Sequence, residues 1–129
     1  MAATPITLRS PAATDAATAF ASALSATPEW REWEEAAMRL RADPSAQRAS
    51  AAYDERRQAL RIKLMLQAAS AEEKADLERL ERALFAQPSV AAYTKAEADL
   101  KALCRATADR LSRAIGLDYA ASCATGCCG

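Results

Sequence analysis

Four of the five prolines in this chain stand directly behind a residue able to begin a helix, and that punctuation constrains the fold more than any other feature. Proline is tolerated at the first helical position because its missing N–H would have had no partner there. A Ser, Thr or Asp in front of it accepts from the exposed amides of the first turn. Ser10-Pro11, Thr27-Pro28 and Asp43-Pro44 therefore each mark a helix start, and Gln87-Pro88 marks another with a weaker cap. A fifth start has no proline: Ser70-Ala71-Glu72-Glu73 fits a capping box, with Ser at the cap and Glu three residues on. The signals predict helices over 11–25, 28–42, 44–69, 71–86 and 88–115, with Gly116 as the C-terminal cap of the last.

Periodicity inside these segments agrees. In the fifth, Val90, Tyr93, Leu100, Leu103, Thr107, Leu111 and Ile115 recur at steps of three, four or seven and form one stripe. Glu97, Lys101, Arg105, Asp109 and Arg113 occupy another face at steps of four, where opposite charges support the helix. The third segment has a looser stripe of Ala46, Ala49, Tyr53, Leu60 and Leu64, widened near its end by Ile62, Met65 and Leu66. Leu77, Leu80 and Leu84 are the core positions of the fourth. Alanine dominates and β-branched residues are sparse, so no strand competes. The expected fold is all-α with about five helices. Two long ones form an antiparallel hairpin, with the shorter N-terminal helices packed across it. The expected organisation is a flexible N-terminus over 1–9, a helical domain over 10–116 and a cysteine-containing tail over 117–129. An apolar surface made mostly of Ala buries little area per helix, so a homo-oligomer that covers the surplus Trp, Leu and Met is expected.

Charge excludes several functions. Seventeen Lys and Arg balance seventeen Asp and Glu, which removes the electrostatic footprint of an autonomous nucleic-acid binder. No direct nucleic-acid partner is expected. The opening "MAATPITLRS" lacks the basic and apolar regions of a secretory signal, and no apolar run approaches membrane-spanning length, so membrane insertion is not expected either. The expected compartment is the cytoplasm, where thiols stay reduced and a cysteine cluster points to metal or redox chemistry. The chain has no histidine, which removes Ser-His-Asp and Cys-His nucleophile systems, HExxH zinc sites and Cys2His2 fingers. No enzymatic activity is expected.

Three features remain as functional candidates. The chain ends in "SCATGCCG", so Cys123, Cys127 and Cys128 fall within its last seven residues. Thiolates are the usual ligands of iron–sulfur clusters and all-sulfur zinc sites, but both usually take four ligands, and this tail offers three. The fourth could come from Cys104, a second subunit or a partner, and a tail that holds no cofactor is the remaining expectation. Cys104 itself, inside the fifth helix, reads as a small buried hydrophobe. Trp30 and Trp33 lie three apart on one face of the second helix, as core or oligomer contacts ahead of contacts to another partner. The run "DERRQALRIK" brings Arg56, Arg57, Arg61 and Lys63 together, and reads as a solvated face balanced by Asp54 and Glu55.

The order of these signals resembles the YlbF/YmcA family of small helical regulators. An opening helix with Phe20 is followed by "TPEW", Asp43-Pro44, "QPSVAAYTKAEADLKAL" and "IGLDYAASCATGCCG". Pro88, Val90, Tyr93, Ala96, Glu97, Leu100, Leu103 and Ile115 match best, and the likeness runs from about Ala12 to Gly129. The resemblance implies an all-helical protein that oligomerises, with itself or a paralogue, and acts without catalysis on a regulatory protein partner. It also implies an association of the cysteine-bearing tail with an iron–sulfur cluster, carried here by Cys123, Cys127 and Cys128. The tail is shorter and poorer in cysteine than the family's, so a cluster shared between chains, or none, is expected, with zinc as the alternative. Two readings of other kinds fit the same residues. One is a precursor peptide with a helical leader, Cys123, Cys127 and Cys128 as nucleophiles, and Ser122 and Thr125 as dehydratable residues. The other is a metal or thiol carrier.

Overall fold

The computed structural model describes residues 10–118, and these form five α-helices with no strand. They are α1 (Pro11–Ser25), α2 (Pro28–Arg41), α3 (Pro44–Met65), α4 (Ala71–Phe85) and α5 (Pro88–Ile115). Each start has the expected chemistry. The Ser10 and Thr27 side chains accept from the Ala13 and Trp30 amides. Asp43 accepts from the Ser45 and Ala46 amides, at 3.0 and 3.3 Å. Ser70 and Glu73 form the reciprocal capping box, with both bonds at 3.1 Å. Gln87 makes no side-chain cap bond to its own helix. Gly116 closes α5 at φ +70°, in the left-handed region that glycine adopts without steric cost.

The third helix ends four residues before the sequence signals place its end, for a backbone reason. Gln67 has φ +53°, its N–H donates to the Leu64 carbonyl at 3.2 Å, and the Ala68 N–H donates to the Lys63 carbonyl at 2.7 Å. This pair of bonds is a Schellman stop, which turns the chain out of the helix at Leu66 and is normally built with glycine.

Pairing of the helices is the main difference from expectation. The long α3 and α5 do not pack on each other with α1 and α2 across them. Instead α2 packs along α5, and α3 packs along α4. Both pairs are antiparallel: Arg56 and Lys63 of α3 reach Asp76 and Glu73 of α4. Pro28 and Glu32 of α2 lie by Leu103 and Asp99 of α5. The hairpin therefore has composite limbs, α2–α3 going out and α4–α5 coming back. Each limb is broken at the same level, at Asp43-Pro44 and at Gln87-Pro88. Contact across each break is slight, so the α2–α5 arm and the α3–α4 arm meet only near the joint.

The joint is held by a reciprocal pair of bonds. The Ser89 hydroxyl of α5 donates to Asp43 Oδ2 at 2.6 Å, and the Ser45 hydroxyl of α3 donates to Gln87 Oε1 at 3.0 Å. Each serine, second in its own helix, thus reaches the N-cap side chain of the other. The Gln47 side-chain amide donates to the Leu40 carbonyl at 2.8 Å, which ties α3 back to α2. The sequence carries this geometry as a repeat, Leu40-x-Ala42-x-Pro44-Ser45 and Leu84-x-Ala86-x-Pro88-Ser89.

Two arms, each two helices thick, cannot enclose much. Six described residues are buried, Ala36, Ala37, Ala46, Leu60, Val90 and Ala96, and four of these are alanines. Leu60, 2% exposed, is the largest. The small side chains let the helices approach closely, but among the described residues the outer face of each pair is left largely exposed. The first helix illustrates this: it buries no residue and has slight contact with α2. An isolated helix of 15 residues is marginal in water.

Candidate functional site

The aromatic residues singled out in the sequence do come together. Trp30 and Trp33 project from one face of α2 with ring centroids 5.4 Å apart and planes tilted by 50°. Tyr93 of α5 completes the row, 6.5 Å from Trp33 at a tilt of 42°. These are tilted ring contacts of the kind that stabilise aromatic pairs beyond their buried area. All three rings are half-buried, so the row belongs both to the α2–α5 packing and to the outer surface. Beside it, Trp33, Ala37 and Met38 line an open groove edged by Glu34 and Arg41.

Besides Phe20 of α1 and Phe85 of α4, which stand exposed singly, large apolar side chains are exposed in two further groups. Ile62, Met65 and Leu66, at 68%, 76% and 72% exposure, crown the turn between α3 and α4. The sequence reading took them as a widening of the α3 core. Ile62 lies two residues beyond Leu60, hence about 200° around the helix and on the opposite face. At the other extremity Leu111, Ile115 and Leu117 are exposed at the end of α5. Here the core stripe continues past the N-terminus of α2, and the described residues leave it exposed. Cys104 is exposed as well, not buried as expected, because it sits one residue beyond the Leu103 edge of the stripe.

Charged side chains are engaged in local pairs and caps. The basic run of α3 is only partly the solvated face that was expected, since Arg56 and Lys63 bridge to Asp76 and Glu73 of α4, each at 3.0 Å. Arg57 and Arg61 line an open groove with Asp54 and Gln58. The Ser89 hydroxyl, followed by the Ala46 amide, holds the Asp43 carboxyl below its ordinary range. The Ser70 amide, then the Lys63 ammonium, lowers Glu73, and the Arg79 guanidinium lowers Asp76. Asp99 raises Lys95 through a 2.8 Å bond. These perturbed groups are explained by caps and surface pairs, and the grooves beside them are open to solvent.

Among the described residues no three His, Cys, Asp or Glu side chains are placed to hold a metal ion. Cys123, Cys127 and Cys128 lie outside the described residues. No described helix is long and apolar enough to cross a membrane.

The family of "Control of competence regulator ComK, YlbF/YmcA" matches residues 13–116, which takes in all of α2, α3, α4 and α5 and most of α1. The chain belongs to the YlbF/YmcA family. No curated protein and no solved structure matches it. Membership in YlbF/YmcA, a family of regulators by its own description, makes this chain a regulatory protein. The match ends at Gly116, so the YlbF/YmcA region is the helical hairpin, and the cysteine tail falls beyond it.

Proposed function

We propose that this YlbF/YmcA protein is a non-enzymatic cytoplasmic adaptor. It acts by assembling with itself or a paralogue and by presenting the completed helical surface to a regulatory protein partner. The observation that supports this reading is the unfinished state of the hairpin: large apolar side chains stand exposed at both extremities, while its buried residues are mostly alanine. A helix pair covers one side of each helix, and a four-helix layer is the smallest arrangement that covers the inner faces of both pairs. The absence of histidine and the open grooves agree with binding in place of catalysis.

In the same reading the tail holds an iron–sulfur cluster or a zinc ion between chains. The described residues offer no ligand cluster, so the ligands would be Cys123, Cys127 and Cys128, with the fourth from a second chain. Such a cluster, when bound, would supply a redox- or oxygen-sensitive link. A ligand bound by one assembly state alone shifts the population toward that state. Anaerobic purification with iron, acid-labile sulfide and zinc counts tests this against a variant with Cys123, Cys127 and Cys128 changed to Ser. Iron and sulfide in matching amounts, lost in the variant, are expected. A native chain without metal, even with its partner present, contradicts the cofactor and leaves assembly to the helices. Zinc without sulfide would fit the zinc link if it is held between chains and the carrier reading if a single chain holds it, and a native mass lowered by the loss of water would favour the precursor.

A further inference from the structure

Helix α2 covers α5 only in part. Pro28, the first residue of α2, lies by Leu103, and α5 runs on from there to Ile115, about 18 Å of helix without α2 beside it. Leu111 and Ile115 stand 46% and 51% exposed on this stretch. The chain that enters α2 at that level is α1, 15 residues or about 22 Å long, joined to α2 through Ala26 and Thr27 alone. It is amphipathic: Ala13, Ala16, Ala17, Phe20 and Leu24 fall within about 100° of its surface, and Thr14, Asp15, Thr18, Ser22 and Ser25 occupy the other side. Yet α1 buries no residue, and Phe20 is 50% exposed. The apolar face of α1 and the uncovered stretch of α5 thus begin at the same level and have similar lengths.

The register of the α2–α5 pair extends onto both. Glu32 lies by Asp99 and Pro28 by Leu103, one turn back on the first helix for each turn forward on the second. Carried through the link, the same steps set Leu24 by Thr107, Phe20 by Leu111 and Ala16 by Ile115. Charge agrees: Asp15 is the single charged residue of α1, and residues 104–115 carry Arg105, Arg110 and Arg113 against Asp109. We propose that α1 is a strap, open in this structure, that closes within its own chain along the Thr107–Ile115 end of α5. Its hinge is the Ala26–Thr27 link. There the Thr27 hydroxyl donates to the Leu24 carbonyl at 2.6 Å and accepts from the Trp30 amide at 3.3 Å, so closure is a change in the backbone torsions of these two element-terminal residues. The short tether gives the strap a high effective concentration at this face. Closure needs no second chain and so stands apart from the assembly reading. A partner that takes the same end of α5 must displace the strap first, which weakens its apparent affinity in proportion as the strap is closed.

The test places the photo-crosslinking residue p-benzoylphenylalanine at Phe20 in the full chain, an exposed aromatic position that accepts a larger ring. Unlabelled and nitrogen-15-labelled chains are mixed before illumination, and cross-linked peptides are read by mass spectrometry. Cross-links from position 20 to residues 104–115, each within one isotope and with a yield unchanged on dilution, are expected. Mixed-isotope pairs among these links would overturn the proposal, since α1 would then lie on another copy. Cross-links that miss α5 altogether would also overturn it. A chain that sediments as a monomer and still gives the single-isotope links would uphold the strap while the assembly reading fails. As a second readout, hydrogen exchange follows the amides of residues 11–25, which an uncovered helix of this length protects poorly. Leu111→Glu keeps the native helical signal of the other helices and lowers that protection by about three-fold or more, at the lowest concentration measured as at the highest. Protection unchanged by Leu111→Glu, or protection that fades on dilution, would contradict closure within one chain.

Discussion

Single residues set where this chain turns, and two of them are out of their ordinary range. Gln67 occupies a left-handed conformation that costs an L-residue roughly 1 kcal/mol and glycine nothing comparable. Gln67→Gly should therefore stabilise the protein by about 0.5–1 kcal/mol in denaturant unfolding, unlike most glycine substitutions. An unchanged or lowered midpoint would mean that the Gln67 side chain contributes more than its backbone strain costs. Asp43 is the second. Its carboxylate caps α3 and accepts from Ser89, and both bonds depress its pKa below the ordinary 3.8. A carboxylate lowered in the folded state contributes stability that is full above its unfolded pKa and lost as pH falls through the folded one. The joint should accordingly loosen in acid below about pH 4. Ser89→Ala should move the Asp43 titration, followed by carboxyl NMR, upward toward the ordinary value, and a titration that stays put would show that the Ser89 bond is not made in solution. Exposure of Cys104 also belongs to this scale: one step around a helix decides between core and solvent.

Helices as elements were legible because their ends are written in local chemistry. Ser10, Thr27, Asp43 and Ser70 cap the helices they were read to cap, and all five starts fall where the sequence signals place them. The end of α3 was not legible, since the stop uses Gln67 where glycine would be the signal. Pairing was not legible either, because amphipathic stripes show that a helix packs without showing on what. The information lay in the repeated Pro-Ser steps at residues 44–45 and 88–89 and in the cross-helix partners of Arg56 and Lys63, which intrahelical periodicity does not detect. Ile62 was misplaced for a related reason: near the end of α3 apolar character was counted without the angle at which it projects. If α3 and α4 pair as described, Leu60 is the anchor of that arm. Leu60→Ala should cost about 2–4 kcal/mol in chemical denaturation, while Ile62→Ala on the opposite face should cost the isolated chain little. Equal losses at the two positions would mean that Ile62 is also buried in solution.

At the scale of the whole molecule, the chain follows the folding rules locally and leaves them incomplete globally. Caps, joint and ion pairs are satisfied within one copy, but large apolar side chains are exposed at the α3–α4 turn and at the end of α5, and α1 buries no residue. Under the proposed assembly a partner would add interior to the six residues one chain buries alone, and stability would then depend on concentration. The sequence suggested this through the surplus of Trp, Leu and Met over what alanine-rich helices can cover, although it did not show which of them remain outside. The cysteine tail lies outside the described residues, so its role rests on thiolate chemistry and family resemblance. The most direct test of self-assembly is sedimentation equilibrium of the full chain, purified anaerobically, over a range of micromolar concentrations. A mass of twice the 13.8 kDa chain, falling toward the single-chain mass on dilution, is the predicted result. A folded chain that keeps its single-chain mass throughout would contradict it.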